Sequence, residues 1–285
     1  EATQTHKRQH QHKRKQTHKI ENGIVCTTNH RTSRFGKGTY IFITNSSNHY
    51  KIDFVYAQST FCSAMDEYCK VAKRKIYVVN LDPAAEHFSY DVAFDIRDLI
   101  TLDDVAEELK LGPNGGLIYC MQYLVEHMEW LEDKLSEFSR DDVYIMFDCP
   151  GQIELYTHLP IMSRIATKLQ RWGFRVGCAW MVDSTFISDV AKFLSGSLIA
   201  LSAMVHLELP HVNVLTKADL VSGAKKSKVD DEESIDPFAS FKCPCASELA
   251  ARLTSETGEK FRKLNESMAQ VLDEFNLVGY VPMSV

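Results

Sequence analysis

Four short stretches bring together residue types that could do chemistry. Asp148-Cys149-Pro150-Gly151-Gln152-Ile153-Glu154 follows the apolar run Val143–Phe147. An acid at the mouth of a buried strand suits a carboxylate that holds magnesium, directly or through water. Gly151 would let its backbone N–H approach a phosphate, although a strand-ending Asp-x-Pro-Gly turn reads equally simply. Thr216-Lys217-Ala218-Asp219 also follows an apolar run. The Asp219 carboxylate can accept from the N1–H and 2-amino groups of guanine, donors that adenine does not offer, while the apolar stem of Lys217 lies over the base. In Asn80-Leu81-Asp82-Pro83-Ala84-Ala85, Asp82 sits where a strand should stop. It either orients an attacking water or reaches the metal, or it simply ends the strand in an Asp turn. Gly112-Pro113-Asn114-Gly115-Gly116 reads as a loop before a helix. Its proline stiffens the chain, its glycines free the backbone around Asn114, and the Asn114 amide could donate to a phosphate oxygen.

The elements that must carry these residues alternate. Arg74–Asp82, Val143–Asp148, Arg175–Asp183, Val212–Asp219 and Leu277–Ser284 are short apolar runs of the kind expected for strands buried on both faces. Between them run helical stripes: Cys62, Met65, Cys69 and Ala72; Met121 through Phe138; Leu155 through Leu169; Phe186 through Leu194; and Phe261 through Phe275. Spaced by three and four, these apolar residues predict core-facing helix faces. Strand–helix alternation predicts a parallel sheet covered on both sides, with ligands bound beyond the carboxyl ends of the strands. Asp82, Asp148, Asp183 and Lys217/Asp219 all fall there.

Composition narrows the class. The chain has 285 residues, 45% hydrophobic and 25% charged, which excludes wholesale disorder, collagen and a simple coiled coil. It contains no run of eighteen uncharged apolar residues, so no membrane-spanning helix is expected, and no membrane is expected among its partners. Eight dilute cysteines suit buried thiols in a reducing compartment, and Cys243-Pro244-Cys245 lacks the second pair a zinc site needs. Charge is divided unequally. Residues 1–51 carry ten Lys/Arg against two acids, a net +8, and the remainder carries 22 against 36, a net −14. The polar, His-rich start (QTHKRQHQHKRKQTHK) predicts disorder over residues 1–49. It is read as an unselected extension more readily than as a nucleic-acid tail, because the acidic bulk opposes a broad basic footprint.

Together, NLDPAAEHF at 80–88, GPNGG at 112–116, FDCPGQIELYTHLP at 147–160 and TKAD at 216–219 resemble the GPN-loop GTPases, in wording most like the type 3 branch of that family. The resemblance runs from about Ser59 to Ser284. It implies a P-loop NTPase-like α/β three-layer sandwich with a mostly parallel sheet. It implies GTP/GDP and Mg2+ as ligands, and a homodimer or a heterodimer with the type 1 paralogue. It further implies a role in RNA polymerase II assembly and nuclear import, in a protein that is cytoplasmic and shuttles to the nucleus. By the same resemblance Asn114 reaches the partner's phosphates, Asp148 and the Ser59 and Thr60 hydroxyls serve magnesium, and Thr216, Lys217 and Asp219 hold guanine with Ser284 near its O6. Gly151 approaches the γ-phosphate, and Asp82 and Gln152 place water.

One part of the family's pattern is missing. No glycine stands between Gly38 and Gly112, and Gln58 occupies the place of the phosphate-binding lysine just before Ser59. Glycines let successive N–H groups converge on phosphate, and the lysine neutralises its charge. Arg34–Thr39 has adjacent Gly and Lys but lacks the first glycine and the hydroxyl residue, so it is no displaced loop. The expectations are therefore a GTPase-like domain over 50–285, with Tyr50–Tyr56 as a makeshift first strand, residues 1–58 replacing the family's first segment, and the family's last helix cut short. A rival reading follows: an inactive dimerisation and assembly module that binds partners without turning over nucleotide.

Overall fold

The computed structural model describes residues 40–46, 55–138, 143–219, 246–275 and 279–283. Residues 1–39 of the basic extension, the solvated run 225–233, the Cys243/Cys245 pair and Ser284 lie outside them, whereas residues 40–46, also expected to be disordered, form a strand. Among the described residues seven parallel strands form one sheet: β1 Tyr40–Ser46, β2 Lys75–Asn80, β3 Val92–Asp95, β4 Val143–Asp148, β5 Arg175–Asp183, β6 His211–Thr216 and β7 Tyr280–Pro282. Their order is β3-β2-β4-β1-β5-β6-β7. The helices are α1 Val55–Val71, α2 Leu102–Leu109, α3 Pro113–Glu126, α4 Met128–Ser136, α5 Glu154–Thr157, α6 Ile161–Arg171, α7 Val190–Leu207, α8 Ala246–Thr257 and α9 Arg262–Glu274.

β4 and β5 have the limits read from sequence, β2 and β7 are trimmed versions of theirs, and β6 starts one residue earlier and stops three earlier than the run Val212–Asp219. The period-two pleat sorts each strand between two cores. Val79, Ile145, Phe147, Cys178, Trp180, Val182 and Leu215 join the larger core with residues of α3–α9. Their neighbours Val78, Met146, Ala179, Met181 and Val214 join a smaller one with Phe61 and Cys62 of α1. Helices on both faces of a parallel sheet make the expected three-layer sandwich. The cysteines at 62, 69, 120, 149 and 178 are buried and form no disulfide among the described residues.

Two expectations about the start of the domain are corrected. Val55 and Tyr56 open α1, so Tyr50–Tyr56 is not the first strand. That strand is Tyr40–Ser46, which pairs with β4 on one side (Thr44 opposite Asp148) and β5 on the other (Ser46 opposite Met181). The boundary at 49/50 is therefore too late, because the middle strand of the sheet precedes it. The segment YIFIT has the aromatic and β-branched content of a strand, outweighed at sequence level by the charge before it.

Two helical stripes break in the middle. The stripe over 121–138 splits at His127, whose backbone leaves the helical region (φ −114°, ψ 44°). Its N–H donates to both Tyr123 and Leu124 carbonyls, and its ring stacks on Tyr123 at 3.9 Å. The stripe over 155–169 splits at Pro160, which cannot donate to a preceding turn. α7 starts from an Asp189 cap whose side chain accepts from Lys192 N–H. By length and composition α7 is apolar enough to cross a membrane, but nine of its residues, from Val190 to Leu207, are buried in the domain.

Candidate functional site

Because every strand runs the same way, their carboxyl ends share one edge. Asn80 of β2 lies opposite Asp148 of β4, and Asp183 of β5 opposite Thr216 of β6. Leu81 N–H donates to the Asp148 carbonyl at 2.7 Å, which carries the β2 exit over the end of β4. The sequence-derived stretches at 80–85, 148–154 and 216–219 therefore share this edge.

Asp148 is buried, and its Oδ2 accepts two hydroxyls, from Ser59 of α1 at 3.0 Å and from Tyr90 at 2.6 Å. Burial, and after it the Asp148 charge, raises the Tyr90 phenol far above its ordinary pKa, so it remains a donor. Thr60 is exposed beside Ser59. Residues 47–54, between β1 and α1, lie outside the described residues. α1 already begins at Val55, a full turn before Ser59, where a phosphate loop would place its last glycine and lysine. In a helix that starts there, the Ser59 N–H has an acceptor four residues back. A carboxylate and a hydroxyl converging as hard oxygen donors fit a magnesium ion. Among the described residues no glycine-rich phosphate cradle accompanies them.

Asp82 is fixed by a web of polar contacts. Buried Asn80 accepts from the Asp82 N–H at 3.0 Å, and its Nδ2 donates to the Asp82 carbonyl and to Asp95, each at 2.9 Å. The Asp82 carboxylate accepts from Ala84 N–H at 2.9 Å. Asp95 is gripped by Arg97 through Nε and Nη2 at 3.0 and 2.7 Å, and Arg97 Nη1 reaches the Ala85 carbonyl. Burial pushes the Asp82 carboxyl up to about 6, with Asp148 and Asp95 adding to it and the Ala84 N–H and Arg97 opposing. A carboxyl poised near neutrality at a strand mouth suits proton handling.

Beyond Asp148, the Pro150 carbonyl accepts the buried Tyr156 hydroxyl at 2.8 Å, which pins the turn through exposed Gly151. Gln152 Oε1 is buried and without a hydrogen-bond partner among the described residues, an acceptor that a water molecule would satisfy.

At the other end of the edge, Lys217 adopts a left-handed backbone (φ 55°), costly for a side chain with a Cβ. Three bonds hold it there. The Lys217 carbonyl accepts from Ser184 Oγ at 2.6 Å, Ala218 N–H donates to the Met283 carbonyl, and Lys217 Nζ pairs with Asp183 at 3.1 Å. Asp183 also accepts from Thr185 N–H. Thr216 is buried with its hydroxyl on the Val182 carbonyl, while Asp219 is exposed. Met283 N–H donates to the Leu215 carbonyl, so the chain just before Ser284 joins this loop.

The Gly112–Gly116 stretch differs from the expected loop: it is the first turn of α3. Gly112 is the cap, Pro113 takes the first helical position, and Asn114 is exposed in the turn that follows. Pro at that position loses no hydrogen bond. Gly116 serves packing, since a Cβ there would lie 3.3 Å from Leu102 Cδ2 of α2. Asn114 belongs to the α2–α3 corner, and among the described residues no hydrogen bond joins it to the Asp148 cluster.

Sequence reasoning missed Tyr90, Ser184, Asp95 and Arg97. Tyr90 left one signal, an aromatic residue two positions past the NLDPAAEHF stretch in a segment otherwise read as loop.

Residues 58–285 match a family described as "conserved hypothetical ATP binding protein". The chain is 48% identical to GPN-loop GTPase 3 of Xenopus tropicalis over 227 residues, 79% of this chain and 76% of that protein. It is 45% identical to GPN-loop GTPase 3 of Dictyostelium discoideum over 228 residues, 80% of this chain and 76% of that protein. Among solved structures, an apo-form GTPase from Pyrococcus abyssi superposes with a TM-score of 0.63 at 19% identity, covering 86% of this chain and 90% of that one, a likeness of fold. With the four motifs in family order and three of them on one strand edge, the chain belongs to the GPN-loop GTPase family.

Proposed function

We propose that this chain binds GTP and hydrolyses it as one half of a dimer, homomeric or with the type 1 paralogue, that acts as a switch in RNA polymerase II assembly and nuclear import. In this reading the protein works in the cytoplasm and shuttles to the nucleus. The observation that carries it is the Ser59 hydroxyl set on the buried Asp148 carboxylate at 3.0 Å, on the strand edge that also holds the Thr216–Asp219 loop.

Asp148 and Ser59, with Thr60 beside them, would hold Mg2+, which when bound neutralises phosphate charge. Asp219 accepts the guanine N1–H and 2-amino protons, Thr216 and Lys217 frame the base, and Ser284 is the residue assigned to its O6. The family description names ATP, but the Asp219 carboxylate selects guanine. Gly151 offers its N–H to phosphate. Asp82 takes a proton from the water that Gln152 Oε1 helps place. Asn114 acts on the partner's nucleotide. Exposed Leu109, Leu111 and Tyr119 flank it (45, 39 and 37% exposed), an apolar surround that suits a subunit contact.

A second reading has its own observation. α1 begins a turn early, at Val55, and Gln58 stands in place of the phosphate lysine. Phosphate recognition then fails, and the chain serves as an assembly module that binds partners without turnover. Calorimetric titration of the purified chain separates the two. Saturable GTP binding that exceeds ATP binding, and passes to xanthosine triphosphate in Asp219→Asn, supports the GTPase. No saturable binding of any nucleotide supports the module.

A further inference from the structure

We propose that Tyr90 is a positioning residue that clasps the far end of the 82–91 segment onto the Asp148 carboxylate until a divalent cation displaces its hydroxyl. This rests on reading Asp148 as the cation carboxylate. Two hydroxyls converge on the same oxygen, Asp148 Oδ2, and they differ in kind. Ser59 is a small alcohol on α1 that can rotate its proton away and present a lone pair to a cation. The Tyr90 phenol is fixed by its ring, buried in the core with Phe61, Cys62, Val78 and Met146 and 5.5 Å from the Phe88 ring. Its proton points at Oδ2, where an incoming cation would oppose it, so cation and Tyr90 hydroxyl compete for one acceptor.

The rest of the segment shows what release would do. Its near end is tied independently of Tyr90, through Asn80 to Asp82 and through Arg97 to the Ala85 carbonyl and the face of Phe88. Among the described residues its far end has, besides the Tyr90 side chain, the Ser63 hydroxyl on the Ser89 carbonyl at 3.1 Å and an exposed Lys70–Asp91 pair at 3.3 Å, weak holds in water, before Val92 pairs with Val78 of β2. Breaking the Tyr90 bond therefore loosens residues 89–91 while Asp82 and Phe88 stay in place.

The test uses the full chain, with Mn2+ alone as probe followed by its paramagnetic resonance, and amide hydrogen exchange over residues 89–91. Tyr90→Phe keeps the ring and removes only the competing donor, so Mn2+ should bind about tenfold tighter, the scale of a hydrogen bond to a charged group. Ser59→Ala removes a hydroxyl on the cation's side and should bind more weakly. In the wild type, Mn2+ should speed exchange over 89–91. In Tyr90→Phe, exchange should be fast without metal and unmoved by it. Equal or weaker Mn2+ binding in Tyr90→Phe, or exchange that responds to metal as in the wild type, overturns the clasp and leaves the cation reading standing. No Mn2+ binding to either protein removes both.

Discussion

Replacing Asp82 by Asn should stabilise the protein at neutral and alkaline pH while leaving its stability near pH 4 almost unchanged. Burial is the main reason its carboxyl rises from 3.8 to about 6, and Asp148 and Asp95 add to it. Such a group ionises more easily in the unfolded chain than in the folded one. Between these two values the folded state holds the extra proton, so stability falls as pH rises through that window, and the cost is complete above it. The shift from 3.8 to about 6 corresponds to about 3 kcal/mol. Asp82 keeps part of its side-chain exposure, and water screens some of the penalty, so about 1–2 kcal/mol is the working figure. Asn retains the oxygen that accepts from Ala84 N–H at 2.9 Å, so the substitution removes charge and keeps the turn. Urea unfolding of both proteins across the range from pH 4 to pH 8 measures the difference. It should grow from near zero to its plateau between pH 4 and pH 6. A difference that is flat with pH, or an Asn variant less stable at pH 8, would refute the argument that burial governs this carboxyl.

Other perturbations probe the frame around the site. Gly116→Val places side-chain atoms where a Cβ alone already meets Leu102 Cδ2 at 3.3 Å, and thermal unfolding should report a loss of about 1–3 kcal/mol from overpacking. Tyr280→Phe leaves the buried Ser197 hydroxyl without its 2.6 Å partner and should cost about 1–2 kcal/mol, whereas adding Ser197→Ala should recover part of that loss by removing both polar groups. Asn265→Ala removes the amide that donates to Thr254 and Thr257 at 3.1 and 3.0 Å, joining α9 to α8. Chemical denaturation should show about 1–3 kcal/mol of destabilisation.

Amino-acid order alone determined the parallel sheet, since strands buried on both faces leave continuous apolar runs that need no partner to be recognised, and β4 and β5 took the limits those runs imply. Charge at the strand mouths was legible for a related reason: Asp82, Asp148, Asp183 and Lys217 break apolar runs at positions where a parallel sheet shares one edge. The middle strand Tyr40–Ser46 was not legible, because it follows a basic stretch and its place depends on pairing with residues more than a hundred positions away. The GPN stretch looked like a loop because proline and glycine usually mark one. Only the packing of α2 against α3 made it a helical first turn, with Gly116 admitting Leu102. Tyr90 on Asp148, Ser184 on Lys217 and the Asn80–Asp95–Arg97 web belong to the tertiary structure alone. A hydrogen bond between side chains depends on where two elements stop relative to each other, and one-dimensional periodicity does not carry that distance.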